Sequence, residues 1–175
     1  MPMSQKEVRE FVGYTFLNVE KNPSNWFKLA RQFNEVALVI DHLKQDGLSQ
    51  AYLYNAGLSL ELSLKAILIL KTKSFKRDHS LIDLAKAAEI PITRDQECTL
   101  ELITEIIKWA GRYPVPKKSS HWDDWHDKVL SKHLVRHTNK NGGGVTKIES
   151  RFPTHKNCQA LWKALEHEFT KLQQT

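Results

Sequence analysis

Cysteine is scarce in this chain: Cys98 and Cys158 are the two among 175 residues. Two thiols do not make a disulfide framework, and a chain of this length can build a core without one. A reduced, cytoplasmic protein is the expectation. The N-terminus, MPMSQKEVREF, lacks the apolar run of a secretory signal. Long hydrophobic stretches are also missing, with one exception at Ala51–Leu70. That stretch has no second one beside it, and as a span it would hold Asn55, Glu61 and Lys65 within the bilayer, so no membrane is expected. The triple glycine at 142–144 follows no strand and precedes no Gly-Lys-Ser/Thr, which excludes a phosphate loop of that kind. Repeats and low-complexity segments are absent, and nothing calls for a cofactor.

What is present is ordinary globular composition, 41% hydrophobic and 26% charged, which fits a single domain over residues 1–175. The charge is unevenly placed. Between Arg112 and Lys156 stand ten Lys/Arg and four Asp/Glu, so this segment carries the entire net charge of +6. Five of the eight histidines lie there too: His121, His126, His133, His137 and His155. A basic third of this kind is an electrostatic footprint for phosphate, with Lys117, Lys118, Lys128, Lys132, Arg136 and Lys140 as candidate nucleic-acid contacts. A solvated basic face is the plainer alternative.

In AYLYNAGLSLELSLKAILIL, Leu58, Leu60, Leu62 and Leu64 alternate with polar residues as in a strand. Length and composition decide otherwise. The run is far longer than a typical strand of about 5–6 residues, and it is rich in Leu, Ala, Glu and Lys, which favour helix. On a helix the leucines spread over opposite sides, so the element is apolar nearly all round and must be central. Glu61 and Lys65 become i,i+4 neighbours with the acid first. They are expected to form a buried ion pair that sets the register of the helix against its neighbours; a catalytic acid and base is the alternative.

Around this element the pattern predicts about six helices. Ser4 and Glu7 form a capping box before a helix reaching about Val19. Asn22-Pro23 opens the next, with Trp26, Ala30, Phe33, Ala37 and Ile40 as its buried stripe and Gly47 at its end. The central helix ends near Leu70, and KTKSFKR places four cations where they complement its dipole. A short helix SLIDLAKAA is closed by Ile90-Pro91. Thr93 and Gln96 cap the following helix, which stops at Gly111. Another is expected from about His121 to Arg136, then a flexible loop NKNGGGVTK, then a last helix capped by Thr154 with Leu161, Leu165 and Phe169 on one face. The fold class is all-α, an up-and-down bundle with short connections.

Three groupings could carry chemistry. On the expected 121–136 helix, His133 and His137 share a face at i,i+4, and with His155 and Cys158 they make an alternative metal-ligand set, although surface histidines are the plainer reading. His133, Arg136 and His137 form the one tight His/Arg cluster able to offer a base and a phosphate-binding cation, but on one helix Arg136 points about 60° from His133 and about 100° from His137. Trp122 and Trp125 stand amid basic residues, where aromatics either stack on bases or anchor helix packing.

Three short motifs also occur in order: Leu-Glu-Leu-Ser-Leu-Lys-Ala at Leu60–Ala66, a His before a Leu-rich helix at His79–Leu84, and Arg-Tyr-Pro at Arg112–Pro114. In this combination, over roughly residues 20–115, the chain resembles the HEPN superfamily (higher eukaryotes and prokaryotes nucleotide-binding domains). The resemblance implies a helical bundle, frequently dimeric, in RNA or nucleotide biology and often in defence or toxin–antitoxin systems. A nucleotidyltransferase-type protein is a candidate partner, and a homodimer is expected. Many members are metal-independent endoribonucleases with Arg-x(4–6)-His at a dimer interface. Here Arg112 and His121 are separated by eight residues, Arg151 and His155 by three, and Arg136 has Asn141 where a histidine would stand. The expected function is therefore non-catalytic RNA or nucleotide binding. The alternatives are an endoribonuclease using His133, Arg136 or His137, and a protein-interaction module that meets an acidic partner.

Overall fold

The computed structural model describes residues 3–45, 47–74, 78–139 and 142–174. Among these, eight α-helices are formed: α1 (Gln5–Phe11), α2 (Phe16–Lys21), α3 (Pro23–His42), α4 (Ser49–Thr72), α5 (Leu81–Ala87), α6 (Arg94–Glu105), α7 (Ser119–Asp124) and α8 (His155–Gln173). One two-stranded antiparallel ribbon, β1 (Leu134–Asn139) and β2 (Gly142–Lys147), joins α7 to α8. The class is helical, as the pattern predicts.

Helix α4 is the hub. Leu60, Leu64, Ala66, Ile67, Leu68 and Ile69 are all buried along it. It is long and apolar enough to cross a membrane by length and composition, yet 67% of its most apolar window lies inside the protein. Helix α3 packs along it with Phe27, Ala30, Asn34 and Ala37, and Trp26, Phe33 and Ile40 are half-buried beside them. Helix α8 closes the other side: Phe27 of α3 stacks on Phe169 at 3.9 Å and on Trp162 at 5.6 Å. Gly57 lets α4 approach α6. A Cβ there would sit 2.7 Å from the Ile103 side chain and 2.5 Å from Ile107.

Caps explain most boundaries. The Ser4–Glu7 and Thr93–Gln96 boxes are both complete, and Asn22, Ser80 and Thr154 each accept a backbone N–H in the first turn of the helix they precede. Three expectations are corrected. The first helix does not reach Val19: Gly13, with φ of +72°, breaks it, and Thr15 caps a separate α2. The expected 121–136 helix ends at His133, after a π-helical turn (Trp125–Val129) and a 3-10 turn (Leu130–His133). The chain then becomes β1, because Leu134, Val135 and Thr138 find strand partners in Lys147, Thr146 and Gly143. The segment NKNGGGVTK is thus largely a strand, not a loop. Of the cations in KTKSFKR, Lys71, in the last turn of α4, donates to the Ala88 carbonyl at 2.7 Å and pairs with Glu168 at 3.4 Å, tying three helices together; Lys76 and Arg77 lie outside the described residues.

Candidate functional site

Position 61 of α4 places a carboxylate inside the bundle, and position 65 places an ammonium one turn on. Lys65 Nζ lies 2.5 Å from Glu61 Oε1, with side chains only 7% and 5% exposed. A third group joins them. His79 Nδ1 stands 3.1 and 3.2 Å from the two Glu61 oxygens. The local chain presents that imidazole: the backbone N–H groups of His79 and Ser80 both donate to Asp78 Oδ1, Ser80's being the larger of the two effects that hold the Asp78 carboxyl below its usual range. Ser80 then caps α5. His79 stood in the quoted motif as the mark of a helix start; its tie to Glu61 was missed. The available signal was a buried carboxylate needing more donors than one lysine supplies.

Lys65 and His79 line a cavity of about 550 Å³ beneath α2 and α3, with Phe16, Val19, Trp26 and Leu29 on its apolar wall. Trp26 Nε1–H donates to the Glu20 carbonyl at 2.8 Å, fixing α2 against α3. Glu20 lines the same cavity. With Glu61 behind Lys65 and Glu20 on the wall, the described groups offer a phosphate little net positive charge.

The basic third is the other candidate surface. Its expected contacts divide. Lys128 pairs with Asp124 at 2.6 Å and Lys132 with Glu101 at 2.7 Å. Lys117 and Lys118, before α7, and Arg136, on β1, are exposed and make no ion pair among the described residues. Lys140 lies outside those residues. Trp122 and Trp125 pack against Trp109 at 6.1 and 5.8 Å, and Trp122 remains 39% exposed. Trp109 in turn donates to Glu105, which also holds His121 Nε2 at 2.7 Å.

The His/Arg cluster is not assembled. His133 is fully buried, with Nδ1 2.8 Å from the Val129 carbonyl and Nε2 2.9 Å from the Cys98 carbonyl. Its imidazole pins the end of the 3-10 turn to α6 and cannot reach a phosphate. Arg136 and His137 are adjacent on β1, so their side chains leave opposite faces of the ribbon. His137 Nε2 is 2.6 Å from Thr146 Oγ1. The metal set fails as well. Cys158 is buried in the core, where burial pushes its thiol up to about 12, and His155 pairs with Asp41 at 3.3 Å. Among the described residues no group of three metal-binding side chains occurs.

A family model for the HEPN domain matches residues 24–128, more than half of the chain. The chain belongs to the HEPN domain family. No curated protein and no solved structure matches it. The HEPN match runs from α3 to the π-helical turn at Trp125–Val129 and contains Glu61, Lys65 and His79, while the ribbon and α8 lie beyond it. HEPN membership places the protein in a family with nucleotide- and RNA-related functions.

Proposed function

We propose that this HEPN protein binds RNA or a nucleotide on its basic third and does not cut RNA. The observation that carries the reading is the charge distribution after pairing: residues 112–156 hold the whole +6, and Lys117, Lys118 and Arg136 remain exposed without carboxylate partners among the described residues. Exposed cations of this kind gain from phosphate because each neutralised phosphate releases a condensed counterion. Exposed Trp122 adds a ring on which an unpaired base can stack. The non-catalytic reading is supported by the dispersal of the His133, Arg136 and His137 side chains, which are not focused on one phosphate there.

The test is fluorescence anisotropy of a labelled single-stranded RNA in EDTA, comparing the native protein with K117E/K118E/R136E, followed by a denaturing gel. The native protein should bind, the triple variant should not, and the RNA should stay intact. Equal affinity for both proteins refutes the surface. Specific cuts refute the non-catalytic reading.

A further inference from the structure

Exposed apolar side chains gather in the first quarter of the chain. Among the described residues, eleven of the sixteen exposed large hydrophobics lie between Met3 and Leu43, so the surface made by α1, α2 and α3 is the apolar one. Helix α1 buries none of its side chains. Helix α3 and its C-cap supply four of the eleven: Leu29, Val36, Val39 and Leu43, each 43–61% exposed. At about 100° per residue these four fall within an arc of about 80°. Phe27, Ala30, Asn34 and Ala37, which face the core, are centred about 150° further round the helix. The four therefore form a second apolar face, bordered by half-buried Phe33 and Ile40. It is about 21 Å long, from the helical rise. Phe16 of α2 lines the same cavity as Leu29, so the face continues onto α2.

Contiguous apolar surface beyond a few hundred Å² is rare on a monomer and marks an interaction site. The order of residues along α3 says what covers it. Leu29 and Leu43 lie seven residues either side of Val36, and Phe33 and Val39 lie three either side. The face thus reads nearly the same in both directions about Val36. A two-fold interface between identical copies needs this self-complementarity, whereas an unrelated partner does not. The seven-residue interval is also that of helices paired along their length.

We infer that α3 is a dimerisation helix: two copies lay their α3 helices antiparallel about a two-fold axis at Val36. Leu29 then packs on the partner's Leu43, Phe33 on the partner's Val39, and Val36 on the partner's Val36. Phe16, beside Leu29, extends the contact over the end of the partner helix. The available surface is of the size required. A stable interface takes about 800 Å² from each partner. Phe11, Tyr14 and Phe16, 63–82% exposed, offer about 400 Å² at roughly 200 Å² per aromatic side chain. The α3 face and the other exposed aliphatics of the N-terminal helices supply the remainder. The inference concerns a different surface from the basic third and stands or falls independently of RNA binding.

Sedimentation equilibrium of the full chain, with thiol cross-linking, tests the assignment. The native protein should sediment as a dimer at micromolar concentration. Val36→Glu sets two carboxylates against each other at the axis and should weaken the dimer by about a hundredfold. Val36 is exposed in the single chain, so the variant should keep the native circular dichroism spectrum. Val36→Cys places two thiols at the axis, and a short bismaleimide should join them into a covalent dimer. Cys98 and Cys158 are buried and should not react. Val145→Cys, equally exposed but on the ribbon, should give no such product. A native protein that remains monomeric at a hundred micromolar overturns the inference. A dimer that Val36→Glu leaves intact overturns the surface, and a dimer that Val36→Cys fails to cross-link overturns the two-fold register.

Discussion

Removing the Glu61 carboxylate should be among the most damaging single changes in this protein. Glu61 and Lys65 are both almost wholly buried on α4, the helix that every other long helix packs against. Glu61→Ala leaves the Lys65 ammonium in a poorly solvated site without its carboxylate and deprives His79 of its anchor. Breaking a buried pair from one side costs about 3–5 kcal/mol. With a urea dependence of about 2 kcal/mol per molar, the unfolding midpoint should fall by about 2 M. Replacing both partners, as Glu61→Leu with Lys65→Leu, removes the desolvation cost of both charges and should be far milder, between neutral and stabilising by about 1–4 kcal/mol. Equilibrium urea melts of Glu61→Leu, Lys65→Leu and the double variant close the cycle. The reasoning fails if the double variant loses as much as the sum of the singles, since the pair would then be uncoupled.

Other outcomes follow from particular contacts. Gly57→Ala should cost about 1–3 kcal/mol in the same melts, because the new Cβ meets Ile103 and Ile107; an unchanged midpoint contradicts the close approach of α4 and α6. His133→Ala should destabilise by about 2–4 kcal/mol, since it removes the ring nitrogens that stand against the Val129 and Cys98 carbonyls and empties a fully buried site; amide exchange in β1 and β2 should accelerate with it. Cys158 should resist thiol reagents at pH 8 in the native state and react once unfolded, as burial holds its pKa near about 12; rapid native-state labelling would show an open core. Asp95 has its pKa lowered by hydrogen bonds from the Ser150 and Arg151 side chains. A carboxyl depressed in the folded state stabilises it above the unfolded value of about 3.9, and that contribution is lost as pH falls through the lower folded value. Asp95→Asn should therefore flatten the acid limb of the stability profile, and identical profiles would show that the tie contributes nothing.

Much of the helical architecture was legible because caps and stripes are local signals. Asn22-Pro23, Thr93 with Gln96, and Thr154 mark helix starts through groups only a few residues apart, and the α3 stripe needs only the helical period. The Glu61–Lys65 pair was legible for the same reason. His79 was not, because its bond to Glu61 spans eighteen residues and depends on how α5 folds back on α4. The region after His121 misled for a physical reason. Its residues through His133 do wind helically, and the switch to strand at Leu134 is decided by pairing with a glycine-rich partner whose own strand propensity is low. That switch buried His133 and turned Arg136 away from His137, so an arrangement that looks like a cluster on a helix becomes three separate side chains. The basic face was visible as a charge count, but Lys128 proved to be engaged by Asp124, a local i,i+4 neighbour, and Lys132 by Glu101, which only the folded structure brings to it.

The salt dependence of RNA affinity tests the central claim most directly. If Lys117, Lys118 and Arg136 each neutralise a phosphate, the logarithm of the association constant for single-stranded RNA should fall with the logarithm of salt concentration at a slope of about −2, from about −0.7 per phosphate contact. Reversing the three charges should remove that slope together with the affinity. A native protein that binds RNA with no salt dependence, or a triple variant that retains the native slope, would contradict the assignment of RNA binding to this surface.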